Sequence, residues 1–210
     1  MTRRAFLEAA ATASDLLADP AVASVWDAPS ALQEMSVRGL AGHLARQIFH
    51  VTRVLAQGRS DEQPITLFEH YVRSDWRDAD VDDDANVGIR RDAEREATSG
   101  PEALAAQART TVDDLRRVLP AQPADLVVYL PWGPWALSLD DFLTTRMLEI
   151  AIHTDDLAVS VGVDTPALPA AVIDPVVGLL ASLAVQRHGA TAVLRALSRA
   201  ERAPATIAAI

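Results

Sequence analysis

The sequence predicts an all-α protein: a helical bundle with one small β-hairpin and extra helices near the C-terminus. Apolar residues recur at helical spacing in four long segments, residues 4–18, 37–57, 101–119 and 139–162. Strand character is confined to the stretch "DLVVYLPWGPWALSL". Because amphipathic helices bury their apolar faces against one another, four of them predict a bundle whose sites are built from facing helices.

The first two long helices have clear boundaries in the sequence. The first places Phe6 on its apolar face and ends near Pro20, since proline cannot continue a helix. Ser36 is positioned to cap the N-terminus of the second helix, and Gly58 is positioned to end it. We expect a short turn between the two helices.

The pattern is weaker between residues 59 and 100. The segment "TLFEHYVRSDW" can form two or three helical turns, and "DADVDDDANVGIRRDAEREA" is charged, mostly helical and solvated on one side. Pro101 then lies in the first turn of the third long helix, which ends at Pro120. These segments connect the long helices of the bundle.

The remaining elements are a hairpin and the C-terminal helices. A Pro-Trp-Gly-Pro turn joins two short strands, and the fourth long helix follows directly and ends near Gly162. Two further helices are expected at residues 169–187 and 190–200, separated by Gly189. The tail "ATIAAI" is expected to be a short strand or frayed.

Composition limits the possible partners. The chain has 210 residues, of which 50% are hydrophobic and 23% charged, which suits one globular domain over residues 1–210. The net charge is −10 and arginines are scattered among acidic residues, a pattern that argues against nucleic acid or an anionic membrane surface as partner. Cysteine is absent, which excludes disulfides, thiolate metal sites and a thiol nucleophile of the protein itself.

The sequence also indicates a cellular location. Its first residues, "MTRRAFLEAAATASDLL", lack the continuous apolar region of a leader peptide. No uninterrupted apolar run reaches the roughly 18 residues of a membrane span. We therefore expect a cytoplasmic protein. All 19 basic residues are arginine and alanine is abundant, a bias typical of GC-rich bacterial genomes.

The fourth long helix carries a row of ionisable side chains in the stretch "LTTRMLEIAIHTDDLA". Arg146, Glu149, His153 and Asp156 recur every three or four residues and therefore share one stripe of the helix. Burying such groups without partners costs several kcal/mol, so polar groups must face this stripe.

A metal site is one interpretation of this stripe. Glu149 and His153 are one turn apart and offer an oxygen and a nitrogen ligand for one divalent ion. His43 lies on the flank of the apolar stripe of the second long helix. If the second and fourth long helices pack side by side, the three residues form a two-histidine, one-carboxylate site with open coordination positions. The alternative is a hydrogen-bonded pair and an unrelated histidine.

Four further residues have candidate roles near this site. Arg146 is expected to bind a substrate carboxylate, and Asp156 to orient the outer nitrogen of a ligating histidine. Alternatively, both form salt bridges that close the bundle. Trp132 and Trp135 in the hairpin form either a lid over the site or packing anchors.

The other histidines and tryptophans are assigned structural positions. We expect His50 at the boundary of the core or, as the alternative, in contact with a metal-ligating residue. His70 and His188 are expected at the surface, and Trp26 and Trp76 in the core. The sequence contains no glycine-rich phosphate loop, no nucleophile-elbow serine and no HExxH zinc motif. These absences argue against phosphoryl transfer, serine hydrolase chemistry and HExxH-type proteolysis.

Two motifs carry a resemblance to a known family. The segment "W..PSAL..MSVRGLAGHLA" at residues 26–45, followed by "LTTRMLEIAIHTDDLA", resembles DinB-like metal-binding bundles, specifically the N-terminal domain of mycothiol-dependent maleylpyruvate isomerases. The similarity extends over residues 4–188. In that family the histidine of the "HL" motif and the E and H of "R..E...H..D" bind zinc. The resemblance therefore implies that His43, Glu149 and His153 bind a divalent metal, with zinc expected and nickel or iron as alternatives.

The resemblance also implies a reaction class. Family members use mycothiol, a thiol of actinobacteria, and their metal lowers the pKa of this thiol so that the thiolate attacks a small electrophile. We therefore expect a mycothiol-dependent isomerase or thiol S-transferase that works as a monomer or homodimer. The chain departs from the family pattern at Met35, usually tryptophan, and residues 190–210 are expected to be a remnant of a C-terminal region.

Two other functions remain open from the sequence. A metal-dependent hydrolase would use activated water in the open coordination position and would need no thiol. A non-catalytic bundle would hold a metal or a ligand without turnover. S-transfer to an electrophile other than maleylpyruvate is a further alternative to isomerisation, because the isomerase proper has a C-terminal domain that contributes to its active site.

Overall fold

The computed structural model describes residues 1–74, 79–80 and 82–210 and confirms the predicted all-α bundle with a small hairpin. The described α-helices, numbered α1 to α9 in chain order, are Thr2–Leu17, Pro20–Ser24, Val37–Gln57, Leu67–Arg73, Asp84–Glu96, Pro101–Val118, Leu139–Val161, Ala170–His188 and Ala190–Ser198. Strands β1 and β2 are Val127–Leu130 and Trp135–Ser138. Trp76, expected in the core, lies outside the described residues.

Helices α1, α3, α6 and α7 form the bundle. Each of α1 and α3 packs against both α6 and α7, which encloses a core between the four helices. Every helix contributes a large side chain that is almost completely buried: Phe6, Leu40, Leu104 and Phe142. Burial of one such side chain stabilises the fold by roughly 1.5–3 kcal/mol relative to its exposed state.

The boundaries of α3 and α7 follow from local chemistry. Ser36 caps α3 by accepting a hydrogen bond from the backbone N–H of Gly39 at 3.0 Å, as its position in the sequence predicts. Ser138 caps α7 in the same way. Gly162 ends α7 in the left-handed conformation, with φ 72°, which glycine adopts without strain.

Helix α5 is fastened to the beginning of α3 by one carboxylate. Glu94 accepts hydrogen bonds from the Ser36 hydroxyl and from Arg38 Nε, both at 2.6 Å. One of these donors, Ser36, is also the N-cap of α3. Glu94 therefore fixes the position of α5 relative to the start of α3.

Two regions differ from the sequence prediction. The expected turn after α1 contains the short helix α2, because Asp19 accepts from the backbone N–H of Ala21 and Pro20 occupies the first helical position. The C-terminal tail forms no strand, yet it is packed and not frayed: Ala209 is buried and His188 donates to the backbone oxygen of Ala208 at 2.8 Å.

The hairpin lies on the bundle with one apolar face inward. Its strands pair antiparallel, from Val127 opposite Ser138 to Leu130 opposite Trp135. Val128 and other side chains of the inner face are fully buried. The tight turn between the strands therefore occupies a fixed place beside α7, which follows β2 directly.

Helix α8 packs outside the four-helix bundle, against α7 and α1. It is the one helix of the described part of the chain that is long and apolar enough, by length and composition, to cross a membrane. Core helices of globular proteins meet the same criterion, so this is weak support for a span. Asp174 and Pro175 interrupt its apolar run near the N-terminus.

Candidate metal centre

Helices α3 and α7 pack side by side, as the proposed metal site requires. His43 on α3 contacts Glu149 on α7, whereas Gln47, one turn later on α3, contacts Arg146, one turn earlier on α7. The two helices therefore run antiparallel at this point. Their facing surfaces bring His43, Glu149 and His153 together.

The three side chains converge on one carboxylate oxygen. Glu149 Oε2 lies 3.3 Å from His43 Nε2 and 3.4 Å from His153 Nε2. The two imidazole rings have centroids 4.6 Å apart and are nearly perpendicular, at 88°. One donor atom from each of the three residues lies within 4.8 Å of the other two, in a half-buried position.

The donor set fits a divalent cation. Two imidazole nitrogens and one carboxylate oxygen are ligands that zinc, nickel and iron accept. Asp156 Oδ2 lies 2.9 Å from His153 Nδ1, so in the neutral ring, the form that binds a metal, the carboxylate holds the proton on Nδ1 and leaves the lone pair on Nε2, the atom that faces Glu149. His43 Nδ1 is buried and lacks a hydrogen-bond partner among the described residues, so this ring is oriented by packing and by the contact of its Nε2 with Glu149.

The protonation states follow from burial and from the contacts within the cluster. Burial opposes ionisation of Glu149, but its hydrogen bonds with His153 and His43 outweigh this effect and hold its pKa well below the usual range. Burial lowers the pKa of His43. Burial also disfavours charge on His153, yet hydrogen bonds to Asp156 and Glu149 raise its pKa to about 9. Without a metal, His153 and Glu149 thus form an ion pair beside a neutral His43.

This ion pair predicts a stability change in the metal-free protein. The pKa of His153 is raised from 6.5 to about 9 by Asp156 and Glu149, with His43 facing it from α3. The stability that the proton confers is therefore fully present below pH 6.5 and is lost as the pH rises through about 9. Urea unfolding of chelator-treated protein across this pH range measures the loss.

The control for this prediction is His153→Gln, which cannot take up the proton. Its free energy of unfolding should fall less steeply with pH between 6.5 and 9 than that of the wild type. Identical slopes for the two proteins would show that His153 does not bind a proton more tightly in the folded state.

Arg146 lies one turn before Glu149 and is buried, with 7% of its surface exposed. Its guanidinium donates to Gln47 Oε1 at 2.5 Å and to the Thr145 hydroxyl at 3.0 Å, and it lies over the Phe142 ring. Among the described residues it forms no ion pair, so the alternative of a bundle-closing salt bridge is wrong for Arg146.

The hairpin brings its two tryptophans to histidines near this site. Trp132 stacks on His50, with ring centroids 4.6 Å apart, and Trp135 donates its indole N–H to His70 Nδ1 at 3.0 Å. The expectation that His70 lies at the surface is wrong. It is 4% exposed, because α4 packs against α7 and α8 and the indole provides its polar partner.

Other positions differ from expectation in smaller ways. His50 is buried at 7% exposure, deeper than the boundary position expected. His188 and Trp26 are both half-buried, and Trp26 packs against the core. Gln47 was missed by sequence reasoning, although its position one turn after His43 placed it on the helix face that meets Arg146.

Comparison with known proteins identifies the family of this chain. The model of the mycothiol maleylpyruvate isomerase N-terminal domain matches residues 6–158. No curated protein and no solved structure matches the chain. The matched region runs from α1 into the last turn of α7 and includes all three residues of the candidate metal centre. Because the match covers more than half of the chain, the protein belongs to the mycothiol maleylpyruvate isomerase N-terminal domain family.

Proposed function

We propose that this protein is a metal-dependent enzyme that uses mycothiol to isomerise a small electrophile or to transfer the thiol to it. The observation that carries the proposal is the convergence of His43, Glu149 and His153, with donor atoms within 4.8 Å of one another. Family membership and the absence of cysteine support a thiol supplied from outside the chain.

Each residue of the centre has a distinct task in this proposal. His43 and His153 hold the cation through Nε2, and Glu149 holds it through Oε2. Asp156 keeps the proton of His153 on Nδ1 and so preserves the ligand lone pair. Arg146 binds an anionic group of the electrophile. When bound, the cation would act as a Lewis acid and lower the pKa of the thiol.

The proposed setting is a small-molecule reaction in the cytoplasm, by a monomer or homodimer of one domain. The net charge of −10 supports a small-molecule partner over nucleic acid. Arginines on the bundle surface pair with carboxylates, as Arg53 does with Glu96 at 2.7 Å, which leaves less positive charge for a polyanion.

The test measures metal content, affinity for mycothiol and turnover, in that order. Protein purified without an affinity tag is analysed for zinc, nickel and iron. The zinc form is then titrated with mycothiol by calorimetry, beside His153→Ala. Finally, maleylpyruvate and 1-chloro-2,4-dinitrobenzene are offered with and without mycothiol. We expect near-stoichiometric metal, thiol affinity that His153→Ala lacks, and thiol-dependent turnover of at least one electrophile.

Other outcomes would overturn the proposal in defined ways. Turnover that needs no thiol would indicate a metal-dependent hydrolase. Metal binding with neither thiol affinity nor turnover would indicate a non-catalytic bundle. If the protein takes up none of the three metals when they are supplied, the three residues do not form a metal site.

The role of Asp156 predicts that its replacement lowers metal affinity without abolishing it. Asp156→Asn removes the charge beside His153 Nδ1, which lies 2.9 Å from the carboxylate, while conserving side-chain size. We expect metal affinity to fall by about 10- to 100-fold, as for other carboxylates that orient a ligating histidine. Competition with a chromophoric chelator measures the change. Asp155→Asn is the control, because that exposed carboxylate accepts from Thr165 instead, and equal losses in both variants would refute the role.

A further inference from the structure

Gln47 is a buried amide between helices α3 and α7. It is 1% exposed and lies one turn after His43 on α3. Its Nε2 donates to the backbone oxygen of His43 at 2.8 Å, and its Oε1 accepts from Arg146 Nη1 at 2.5 Å. Both polar atoms of the amide are therefore satisfied, one on its own helix and one on the facing helix.

The amide of Gln47 can take only one orientation. A guanidinium donates hydrogen bonds and cannot accept them, whereas a backbone carbonyl only accepts. Rotation of the amide by a half turn would place its NH₂ group against the guanidinium of Arg146 and its oxygen against the carbonyl of His43. Because both hydrogen bonds would then be lost in a buried position, Oε1 is fixed toward Arg146.

Arg146 is bonded to neutral groups and not to the glutamate of the candidate metal centre. Arg146 and Glu149 are three residues apart on α7, a spacing at which an arginine and a carboxylate can pair on one helix face. Within the described part of the chain they form no ion pair. Arg146 donates to Gln47 and to the Thr145 hydroxyl, and it lies over the Phe142 ring. The carboxylate of Glu149 is thereby left to the two imidazoles.

Glu149 is nevertheless the carboxylate that acts most strongly on Arg146. Burial lowers the pKa of Arg146, and among the groups that raise it the charge of Glu149 has the largest effect. A buried guanidinium that loses a hydrogen-bond acceptor is costly. Without the amide oxygen of Gln47, the guanidinium would therefore turn to the Glu149 carboxylate, which lies within one helical turn.

We propose that Gln47 is a positioning residue of the metal centre: it holds the guanidinium of Arg146 so that the Glu149 carboxylate stays available to the cation. The inference rests on the proposed function and adds to it a residue that is not itself a ligand. A guanidinium paired with Glu149 would compete with the cation, because both bind the lone pairs of the same oxygens. Loss of Gln47 should therefore weaken the metal site although all three ligands remain.

The test compares the zinc affinities of two Gln47 variants of the full chain by competition with a chromophoric chelator. Gln47→Met has nearly the shape of glutamine but only a weak acceptor, so it should bind zinc about tenfold or more weakly than the wild type. Gln47→Glu keeps an acceptor for Arg146 and loses only the donor to His43, so its affinity should fall by no more than about threefold. Equal losses in the two variants would assign the effect to the His43 contact and overturn the inference.

A substitution of Arg146 shows whether the guanidinium is the cause. In an Arg146→Met background no guanidinium can pair with Glu149, so Gln47→Met should cost less than about threefold in zinc affinity there. A tenfold loss in both backgrounds would indicate a merely structural defect and overturn the inference. Gln107→Met, on the exposed face of α6, is the control and should bind zinc as the wild type does. If Gln47→Met does not fold, Gln47→Glu decides, since a tenfold loss in that variant would overturn the inference.

A metal-free comparison separates this inference from the proposed function. In chelator-treated Gln47→Met the Glu149 carboxylate should be paired with Arg146. A further Glu149→Gln change should therefore lower the urea midpoint of unfolding by more than it does in the wild type. If this extra loss is found while the wild type takes up no metal, the positioning contact stands and the proposed function falls. An equal loss in the two backgrounds would overturn the inference, whatever the wild type binds.

Discussion

Replacement of Glu149 by glutamine is expected to lower the affinity for divalent metal by at least about 100-fold and to abolish thiol-dependent turnover. Both imidazoles contact this carboxylate, at 3.3 Å and 3.4 Å from Oε2. Glutamine has nearly the same size but no charge, so two neutral nitrogens would remain as ligands. Loss of a carboxylate that only orients a ligand already costs about 10- to 100-fold.

Chelator competition and calorimetry measure the effect of Glu149→Gln. The matched control is Glu8→Gln, which removes an exposed carboxylate that pairs with Arg4 on the outer face of α1. It should bind metal as the wild type does. Circular dichroism must show that Glu149→Gln is folded. Near-normal metal affinity in the folded variant would place the metal elsewhere in the chain and remove the basis of the proposed function.

The local features of this fold were predictable from sequence because they depend on neighbouring residues. Ser36 and Gly162 mark helix ends through their own backbone and side-chain chemistry. Glu149 and His153 share a helix face because of helical periodicity alone. The position of His43 required one additional assumption, that α3 and α7 are neighbours, and these helices do pack together.

The features that were missed depend on contacts between segments distant in sequence. His70 has charged neighbours, Glu69 and Arg73, which suggest a surface helix. Its burial results from the packing of α4 against α7 and α8 and from the indole N–H of Trp135. For Arg146, the sequence reveals a charge but not its partner, which is the amide of Gln47 on another helix. Periodicity assigns a face to a residue and leaves the opposing group undetermined.

Substitution of Gly42 by alanine is expected to destabilise the protein by about 2–3 kcal/mol. A Cβ at this position would lie 2.1 Å from the backbone oxygen of Ala93 and 3.1 Å from Cβ of Ala97, so α5 crosses α3 here in direct backbone contact. The obstacle is backbone, and Glu94 fastens α5 to the start of α3. The steric cost therefore exceeds the gain of about 1 kcal/mol that alanine normally gives inside a helix.

Gly88→Ala on the opposing helix α5 is the matched control for Gly42→Ala. It adds the same methyl group where no atom of the described residues beyond the neighbouring backbone of α5 lies within 4 Å, so it should stabilise the protein by up to about 1 kcal/mol. Urea unfolding of the three proteins measures both effects. Gly42 also precedes His43, so displacement of α5 should weaken metal binding as well. If Gly42→Ala has the same urea midpoint of unfolding as the wild type, α3 and α5 are not in direct backbone contact at Gly42. In that case α5 does not fix the position of the His43 backbone.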